Sequence, residues 1–370
     1  MMHSDEFYMA RALELAALGR FTTAPNPNVG CVIVRDGEIV GEGYHQRAGE
    51  PHAEVHALRM AGDKARGATA YVTLEPCSHH GRTPPCAEAL INAGVSRVVA
   101  AMQDPNPQVA GRGLFKLREA GIEVSHGVLI QEAEALNKGF FKRMRTGFPY
   151  IQLKMAASID GKTALANGES QWITSKAARQ DVQQFRAQAG AILSTSATVL
   201  ADDPGLTVRH ADFPASLQQS YPEADIRQPV RIITDSRQRV TAQHRVTQLP
   251  GSCWLARTAS QPDNWQGDVE EMILPENGCG VDLVLLMMQL GKRNINHIWT
   301  ECGSHMAGAL LKAGLADEIV LYLAPKILGS DAQDLFTLPP LAHLRDAPQL
   351  RIDDCTMVGP DLRLRLIPVY

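Results

Sequence analysis

The residues best equipped for chemistry stand at His52-Ala53-Glu54, Pro76-Cys77 and Cys86. A neutral imidazole and two thiolates are good zinc ligands, and three protein ligands leave a fourth position for water. Zinc lowers the pKa of such a water to about 7, which makes hydroxide available at neutral pH. Glu54 reads as a proton carrier rather than a ligand, taking a proton from the water and passing it to a leaving amine, the pattern of a zinc-dependent deaminase. The spacing departs from the common Pro-Cys-x-x-Cys form, because eight residues, Ser78 to Pro85, separate the cysteines. The alternative is a structural zinc site closed by a fourth protein ligand, for which His56, His79 and His80 are available. His-x-Glu starting one helix and Pro-Cys preceding the next form a two-part match that favours a catalytic metal.

The elements that must position these groups are legible in outline. Residues 5–18 carry Phe7, Ala10, Leu13 and Leu18 near helical spacing. Gly30 to Val34 and Glu38 to Gly43 read as a hairpin across Asp36-Gly37. Pro51 is expected to open a helix bearing His52, Glu54 and His56, with only His52 taken as a ligand. Ala68 to Leu74 is a strand leading to Cys77, and Pro85-Cys86 opens a helix running to Ala93, whose N-terminal dipole suits anionic thiolates. Arg97 to Ala101 reads as a strand, Leu114 to Ala120 as a helix and Glu123 to Ser125 as a short strand. This alternation implies a three-layer α/β domain. The proline-rich Thr23 to Gly30 is either a plain loop or a rigid pocket edge on which Asn26 offers donor and acceptor to a base. Arg82 and Thr83, between the cysteines, are either solvated or a clamp for a phosphate.

Length and composition bound the reading. At 370 residues the chain suggests two domains, and 45% apolar with 21% charged residues is ordinary for a soluble globular protein. A net charge of −4 argues against a general nucleic-acid binder. Apolar runs are short, so no membrane span is expected. The N-terminus lacks the apolar core of a signal peptide. Seven cysteines without regular spacing make no disulfide framework and fit a reducing cytoplasm.

A cationic stretch ending in Gly147 and Pro149 marks the expected boundary, giving domains over 1–147 and 148–370. Beyond it, Tyr150 to Met155, Ala191 to Ser194, Val230 to Asp235 and Cys253 to Ala256 read as strands, Gln180 to Gln188 as a helix and Ala201 to Gly205 as a loop. His297 to Thr300 ends in Glu301-Cys302-Gly303-Ser304-His305, where a helix begins. Such a turn offers backbone N–H groups and a helix dipole to an anion, or serves simply as a tight turn. The Gly-x-Gly-x-x-Gly fingerprint is missing. The residues alone make this half α/β with nucleotide binding as one option.

Several longer stretches carry a family resemblance: Thr23 to Gly30, His52-Ala53-Glu54, Glu75 to Cys86 and Gln103-Asp104-Pro105-Asn106-Pro107 in the first half, Leu153 to Gly161 and Ala201 to Pro204 in the second. Together they resemble the RibD family of bifunctional riboflavin biosynthesis enzymes over essentially the whole chain, long cysteine insert included. The resemblance implies a cytidine-deaminase-like three-layer α/β/α domain followed by a dihydrofolate-reductase-like α/β domain. The first would deaminate 2,5-diamino-6-ribosylamino-4(3H)-pyrimidinone 5′-phosphate, and the second would use NADPH to reduce the ribosyl group to a ribityl chain. It implies one zinc on His52, Cys77 and Cys86, Glu54 as proton donor, and Asn26, Arg82 and Thr83 as substrate contacts.

Around NADPH the resemblance points to Ala156, Trp172, Thr198, Asp202, Ser236 and the turn Gly303, Ser304, His305, Met306, Ala307, Gly308 and Ala309. Ser170, Arg186, Leu206, Arg209 and Glu301 would contact the substrate, with Arg186 and Arg209 suited to its phosphate and Lys154 near the nicotinamide. Ile159 stands where the family has leucine, a near-isosteric change. Ser304-His305 replaces smaller or proline-containing pairs, so His305 would add a cation or crowd the turn. The expected partner is a small-molecule pyrimidine ribosyl phosphate, with no nucleic acid and no membrane, for a cytoplasmic homo-oligomer. Two competing readings are a deaminase whose second domain is a non-catalytic module and a nucleic-acid base deaminase.

Overall fold

The computed structural model describes residues 4–79, 84–107, 109–278 and 280–370. The chain divides into two compact units, 1–147 and 148–370. In the first unit the elements are α1 (Asp5–Ala17), β1 (Gly30–Arg35), β2 (Glu38–Tyr44), α2 (Ala53–Ala61), β3 (Thr69–Val72), α3 (Cys86–Ala93), β4 (Arg97–Ala100), α4 (Arg112–Glu119), β5 (Glu123–His126), α5 (Ile130–Leu136) and α6 (Lys138–Thr146). The sheet order is β2-β1-β3-β4-β5. The first three strands pair antiparallel and the last three parallel. Asp36 and Gly37 both take positive φ, as a two-residue hairpin requires.

Alternation along the strands splits the apolar residues between two cores, one on each face of the sheet. Cys31, Ile33, Ala70 and Val98 pack with Ala53, Ala57, Leu90 and Leu117 from α2, α3 and α4. Val32, Val34, Tyr71 and Val99 pack with Met9, Ala12, Ala133 and Phe141 from α1, α5 and α6. Two helices therefore occupy residues 130–146, where the sequence suggested only a cationic boundary. Their apolar residues are few, and among its residues α6 fully buries only Phe141, with Lys138, Lys142 and Arg143 half-buried and Arg145 exposed.

Close packing places the helix that follows His52. Gly41 and Gly43 lie on one face of β2, and a Cβ there would fall 2.2 Å from Ala57 O and 2.4 Å from Ala53 O. Glycine on the strand and alanine at i, i+4 and i+8 on α2 let the two backbones touch. The helix begins two residues later than expected: His52 is its N-cap, in extended conformation, and Pro51 lies outside. The extended backbone frees the imidazole from the helix face.

In the second unit the strands are β6 (Tyr150–Ser158), β7 (Lys162–Ala164), β8 (Ala191–Thr195), β9 (Val230–Thr234), β10 (Cys253–Arg257), β11 (Val269–Ile273), β12 (Glu276–Asn277), β13 (Gly280–Val281), β14 (His297–Glu301), β15 (Glu318–Ala324), β16 (Gln333–Asp334), β17 (Gln349–Val358) and β18 (Asp361–Val369). The helices are α7 (Lys176–Gln188), α8 (Ser196–Asp202), α9 (Ala215–Ser220), α10 (Arg245–Gln248), α11 (Leu283–Lys292) and α12 (Ser304–Lys312). Nine strands form one sheet in the order β11-β10-β9-β8-β14-β6-β15-β18-β17. It is parallel as far as β15 and closes with the antiparallel β17–β18 hairpin. Ligands of such sheets bind beyond the carboxyl ends of the parallel strands. Ala201 and Asp202 belong to α8 rather than to a loop, and the helix stops at Asp203 in the left-handed region. Among the described residues, no helix is long and apolar enough to cross a membrane.

Candidate active sites

His52, Cys77 and Cys86 converge from three places: the N-cap of α2, the loop after β3, and the first turn of α3. Their Nδ1 and Sγ atoms all lie within 4.8 Å of one another. His52 Nδ1 is 3.3 Å from Cys86 Sγ and 3.6 Å from Cys77 Sγ. Tetrahedral zinc with ordinary Zn–N and Zn–S bonds sets such edges at about 3.6 Å, so the donor set and its dimensions fit the metal. Cys86 N–H donates to Cys77 Sγ at 3.3 Å, bringing the start of α3 onto the sulfur. Hydrogen bonding from Cys86 and His52 holds the Cys77 thiol well below its usual range against burial. Among the described residues neither His56 nor His79 joins the cluster. Arg82 and Thr83 lie outside the described residues, as does His80.

Glu54 is 3% exposed, one helical residue beyond Ala53. Burial foremost pushes its carboxyl above the ordinary range, opposed by the charge of His52 and a hydrogen bond with Cys86. A carboxyl shifted in this direction accepts a proton more readily than an exposed one and can pass it on within the site.

Two residues that the sequence reading passed over support this cluster. His45, buried at the end of β2, places Nδ1 3.2 Å from Pro51 O and Nε2 3.1 Å from Asn26 Nδ2. A carbonyl only accepts, so Nδ1 carries the proton and Nε2 receives the Asn26 amide. The His45 ring also meets the His52 ring edge-on at 5.5 Å. The loop bearing Asn26 is anchored by Asn137, which accepts from Asn28 N–H and donates to Asn28 O. Glu75 accepts backbone N–H groups from Asp104, Gly111, Gly113 and Leu114, so the residue before Pro76-Cys77 fastens the start of α4. Gly113 sits so close that a Cβ would lie 1.9 Å from Pro76 O.

In the second unit a cleft of about 1590 Å³ opens along the carboxyl ends of the parallel strands. It brings together Ala156, Trp172, Thr198, Asp202 and Ser236 with Gly303, His305, Met306 and Ala309. Lys154, Ser170, Arg186, Leu206, Arg209 and Glu301 line the same cleft. Ala307 and Gly308 turn inward instead: both are buried, and a Cβ on Gly308 would strike Thr337 O at 1.9 Å. Ser304 also has a packing partner, accepting from Thr337 Oγ1 at 2.9 Å. His305 is exposed on the cleft wall. At Gly303, the N-cap of α12, a Cβ would meet no protein atom within 4 Å. The missing side chain leaves room over the helix start, which fits a nucleotide phosphate.

At the cleft floor Arg186 grips Glu301 in a bidentate pair, Nε–Oε1 2.7 Å and Nη2–Oε2 2.8 Å, and gives Nη1 to Thr207 O. Trp299 Nε1 donates to the same carboxylate at 2.8 Å. Burial alone would push Glu301 up; Arg186, Lys154 and Trp299 outweigh it and hold the carboxyl at about 2. Burial lowers the Lys154 ammonium from its usual range, with Glu301 opposing. Arg186 is therefore committed to Glu301, whereas Arg209, more than half exposed, pairs among the described residues with Asp212. Trp172 is held at the rim by Arg179, whose guanidinium lies 4.4 Å from its ring centroid, and by Lys326 Nζ on its carbonyl.

A histidine–dithiolate cluster beside a buried glutamate, together with a nucleotide-sized cleft on a mostly parallel sheet, defines a two-domain α/β enzyme of the deaminase–reductase class. Residues 2–102 match the cytidine and deoxycytidylate deaminase zinc-binding region, and residues 149–364 match the RibD C-terminal domain. The chain is 67% identical over 363 residues to the riboflavin biosynthesis protein RibD of Escherichia coli K12, spanning 98% of this chain and 99% of that one. It is 52% identical over 367 residues to the Haemophilus influenzae protein of the same name, spanning 98% and 97%. Acinetobacter baumannii RibD superposes with a TM-score of 0.91 at 43% identity over 99% of both chains. A Thermotoga maritima structure described as a diaminohydroxyphosphoribosylaminopyrimidine deaminase/5-amino-6-(5-phosphoribosylamino)uracil reductase gives 0.86 at 34% identity over 99% of both. The chain belongs to the RibD family of riboflavin biosynthesis enzymes. It is bifunctional, a zinc-dependent deaminase joined to an NADPH-dependent reductase.

Proposed function

We propose that the unit over 1–147 hydrolyses the exocyclic amine of 2,5-diamino-6-ribosylamino-4(3H)-pyrimidinone 5′-phosphate. The unit over 148–370 then reduces the product, 5-amino-6-(5-phosphoribosylamino)uracil, to 5-amino-6-(5-phosphoribitylamino)uracil. The observation that supports this best is one chain holding both the His52–Cys77–Cys86 cluster beside Glu54 and the Lys154–Glu301–Arg186 group in a dinucleotide-sized cleft.

When bound, zinc supplies an acidified water and NADPH supplies a hydride. His52, Cys77 and Cys86 would hold the metal. Glu54, buried beside Cys86, takes up a proton and delivers it to the departing amine. Asn26, whose Nδ2 is taken by His45, keeps its Oδ1 as an acceptor for the base, with Arg82 and Thr83 as further substrate contacts. In the cleft Ala156, Trp172, Thr198, Asp202, Ser236 and the start of α12 hold the dinucleotide. Ser170, Leu206, Lys154 and Glu301 face the substrate. Arg209 takes its phosphate, and Arg186 keeps Glu301 ionised and oriented. Reduction consumes one proton with the hydride, and Lys154 beside Glu301 is the proton-bearing group within the cleft.

The same reading makes the enzyme a cytoplasmic homo-oligomer acting on a small molecule, without nucleic-acid or membrane partners. Ile352 and Met357, both exposed on edge strand β17, support self-association. Mass spectrometry of the diaminopyrimidine ribosylamino phosphate after incubation with zinc-loaded protein tests the reaction sequence. Exchange of amine for oxygen without NADPH, and two added hydrogens with it, is expected. Deamination alone in both tubes would remove the reductase step, and no change in either would remove the substrate.

A further inference from the structure

One polar side chain on the cleft wall has no task in the site described above. Gln183 lies on α7 one turn before Arg186, so the two share a helix face, and both line the cleft. Gln183 is 1% exposed, and its Oε1 accepts the backbone N–H of Arg209 at 2.9 Å. A backbone N–H only donates, so this bond fixes which end of the amide is the oxygen. Nε2 and its two hydrogens then point elsewhere. They meet no protein acceptor among the described residues, yet Nε2 is not sealed in, so it opens onto the cleft. Leaving buried donors unpaired is costly, which makes an acceptor on a ligand their natural partner.

The segment that Gln183 holds is fixed from several directions. Leu206 takes φ 50, a left-handed conformation that a branched side chain seldom adopts and that the surrounding bonds must enforce. Arg186 Nη1 donates to Thr207 O at 2.9 Å. Gln228 accepts Val208 N–H at 2.8 Å and donates to Val208 O at 3.0 Å. Gln183 closes the series at Arg209. Arg209 gives Nε to Asp212 and makes no other side-chain hydrogen bond among the described residues, so its Nη groups remain for a ligand.

Chemistry decides what such a corner takes. Its unused groups are donors, a neutral amide and a guanidinium fork, while Asp212 is engaged by Arg209 and Gln183 Oε1 is spent on the backbone. A phosphate presents several acceptor oxygens and can satisfy both donors at once, whereas a sugar hydroxyl needs no cation. The amide also adds a hydrogen bond without placing another charge beside the buried Arg186–Glu301 pair.

We infer that Gln183 is a further substrate-binding residue, its Nε2 donating to the 5′-phosphate alongside Arg209. The inference rests on the reductase reading of the cleft. Reduction of 5-amino-6-(5-phosphoribosylamino)uracil and of its dephosphorylated counterpart by the full-length zinc-loaded protein tests it, with NADPH affinity titrated alongside. Wild type is expected to favour the phosphorylated compound through KM. The informative variant is Gln183→Glu, assayed at about pH 8, above the carboxylate range. Its carboxylate still accepts Arg209 N–H but has no donor to offer and repels a phosphate. The KM for the phosphorylated compound is expected to rise about 30-fold. Its kcat, the KM for the dephosphorylated compound and NADPH affinity should stay within about threefold of wild type. Gln183→Met keeps the length without the polarity; it should show a weaker rise of the same kind and carries the test if Gln183→Glu does not fold. Equal KM increases for the two compounds would mean that the amide meets the sugar or only shapes the cleft, and would overturn the assignment. An unchanged KM, or a loss confined to NADPH, would overturn it as well. Wild type that reduces both compounds with one KM removes this inference and leaves the reductase standing. Wild type that reduces neither removes both.

Discussion

In the deaminase unit three ligand atoms meet within 4.8 Å and one buried carboxylate completes the set. In the reductase unit the candidate residues line some 1590 Å³ and come from the ends of several strands and the helices behind them. A metal demands few residues of particular types at short range, so its site is concentrated and intolerant. A dinucleotide and a sugar phosphate are recognised over their length, so that site is dispersed, and most of its contacts come from backbone, small residues and shape.

The sharpest way to break this contrast is at Glu54. Glu54→Ala should lower deamination by at least about 100-fold. It should leave bound zinc near one per chain by elemental analysis and leave reduction of the deaminated intermediate untouched. Loss of zinc in that variant would make Glu54 a ligand and the concentrated site a different one.

Glu301→Gln asks whether the dispersed cleft has a centre of its own. Removing the carboxylate strands Arg186 at the cleft floor, and breaking a buried pair costs about 3–5 kcal/mol. Turnover of the reductase should fall about 100-fold while deamination persists. Because the folded-state value for Glu301 is depressed to about 2, its contribution is complete above the unfolded carboxylate range and fades as pH falls from about 4.5 towards 2. The stability gap between wild type and Glu301→Gln, followed by denaturant unfolding, should therefore narrow over that window. A constant gap would mean that the pair contributes packing rather than charge.

Gly113→Ala tests how far the concentrated site depends on its supports. The new methyl would collide with Pro76 O next to Cys77. Zinc content and deamination should drop together, with a destabilisation of about 1–3 kcal/mol. Reductase kinetics serve as the internal reference, and full zinc occupancy would show that the loop yields.

The smallest effect is expected at His297 on β14. Its ring meets Gln152 Oε1 at 2.6 Å, and burial lowers its value to about 4. The folded chain holds it neutral while the unfolded chain takes up a proton below about 6.5. Stability should thus decline as pH falls from about 6.5 to about 4, and His297→Gln should flatten that slope in urea titrations.

The same contrast explains what could be read from the chain in advance. Asp36-Gly37 announced its hairpin because few dipeptides accept two positive φ values. His52, Cys77 and Cys86 could be picked out because their types are rare and their flanking elements short. The Arg186–Glu301 pair could not, since 115 residues separate partners that only the parallel sheet brings together. His45 escaped notice because a single histidine at a strand end carries no spacing signal; its importance lies in bridging Asn26 and Pro51. Helices α5 and α6 were hidden because Lys138, Lys142, Arg143 and Arg145 dominate a stretch whose inward face is thin. The reductase contacts were legible only through family resemblance, and even that assigned inward-packed Ala307 and Gly308 to the cleft.

Glu75, fastened to the backbone N–H groups of Asp104, Gly111, Gly113 and Leu114, ties those four residues to the strand end that leads to Cys77. An effort to retune the deaminase for other amines would naturally vary the neighbours of these four residues, which hang from the carboxylate two residues before Cys77. Insertions or deletions there would pull on the carboxylate that sets Pro76 and Cys77, so altered selectivity would arrive together with altered metal affinity. Library designs that hold Gly111 and Gly113 fixed and vary only outward side chains would separate the two traits.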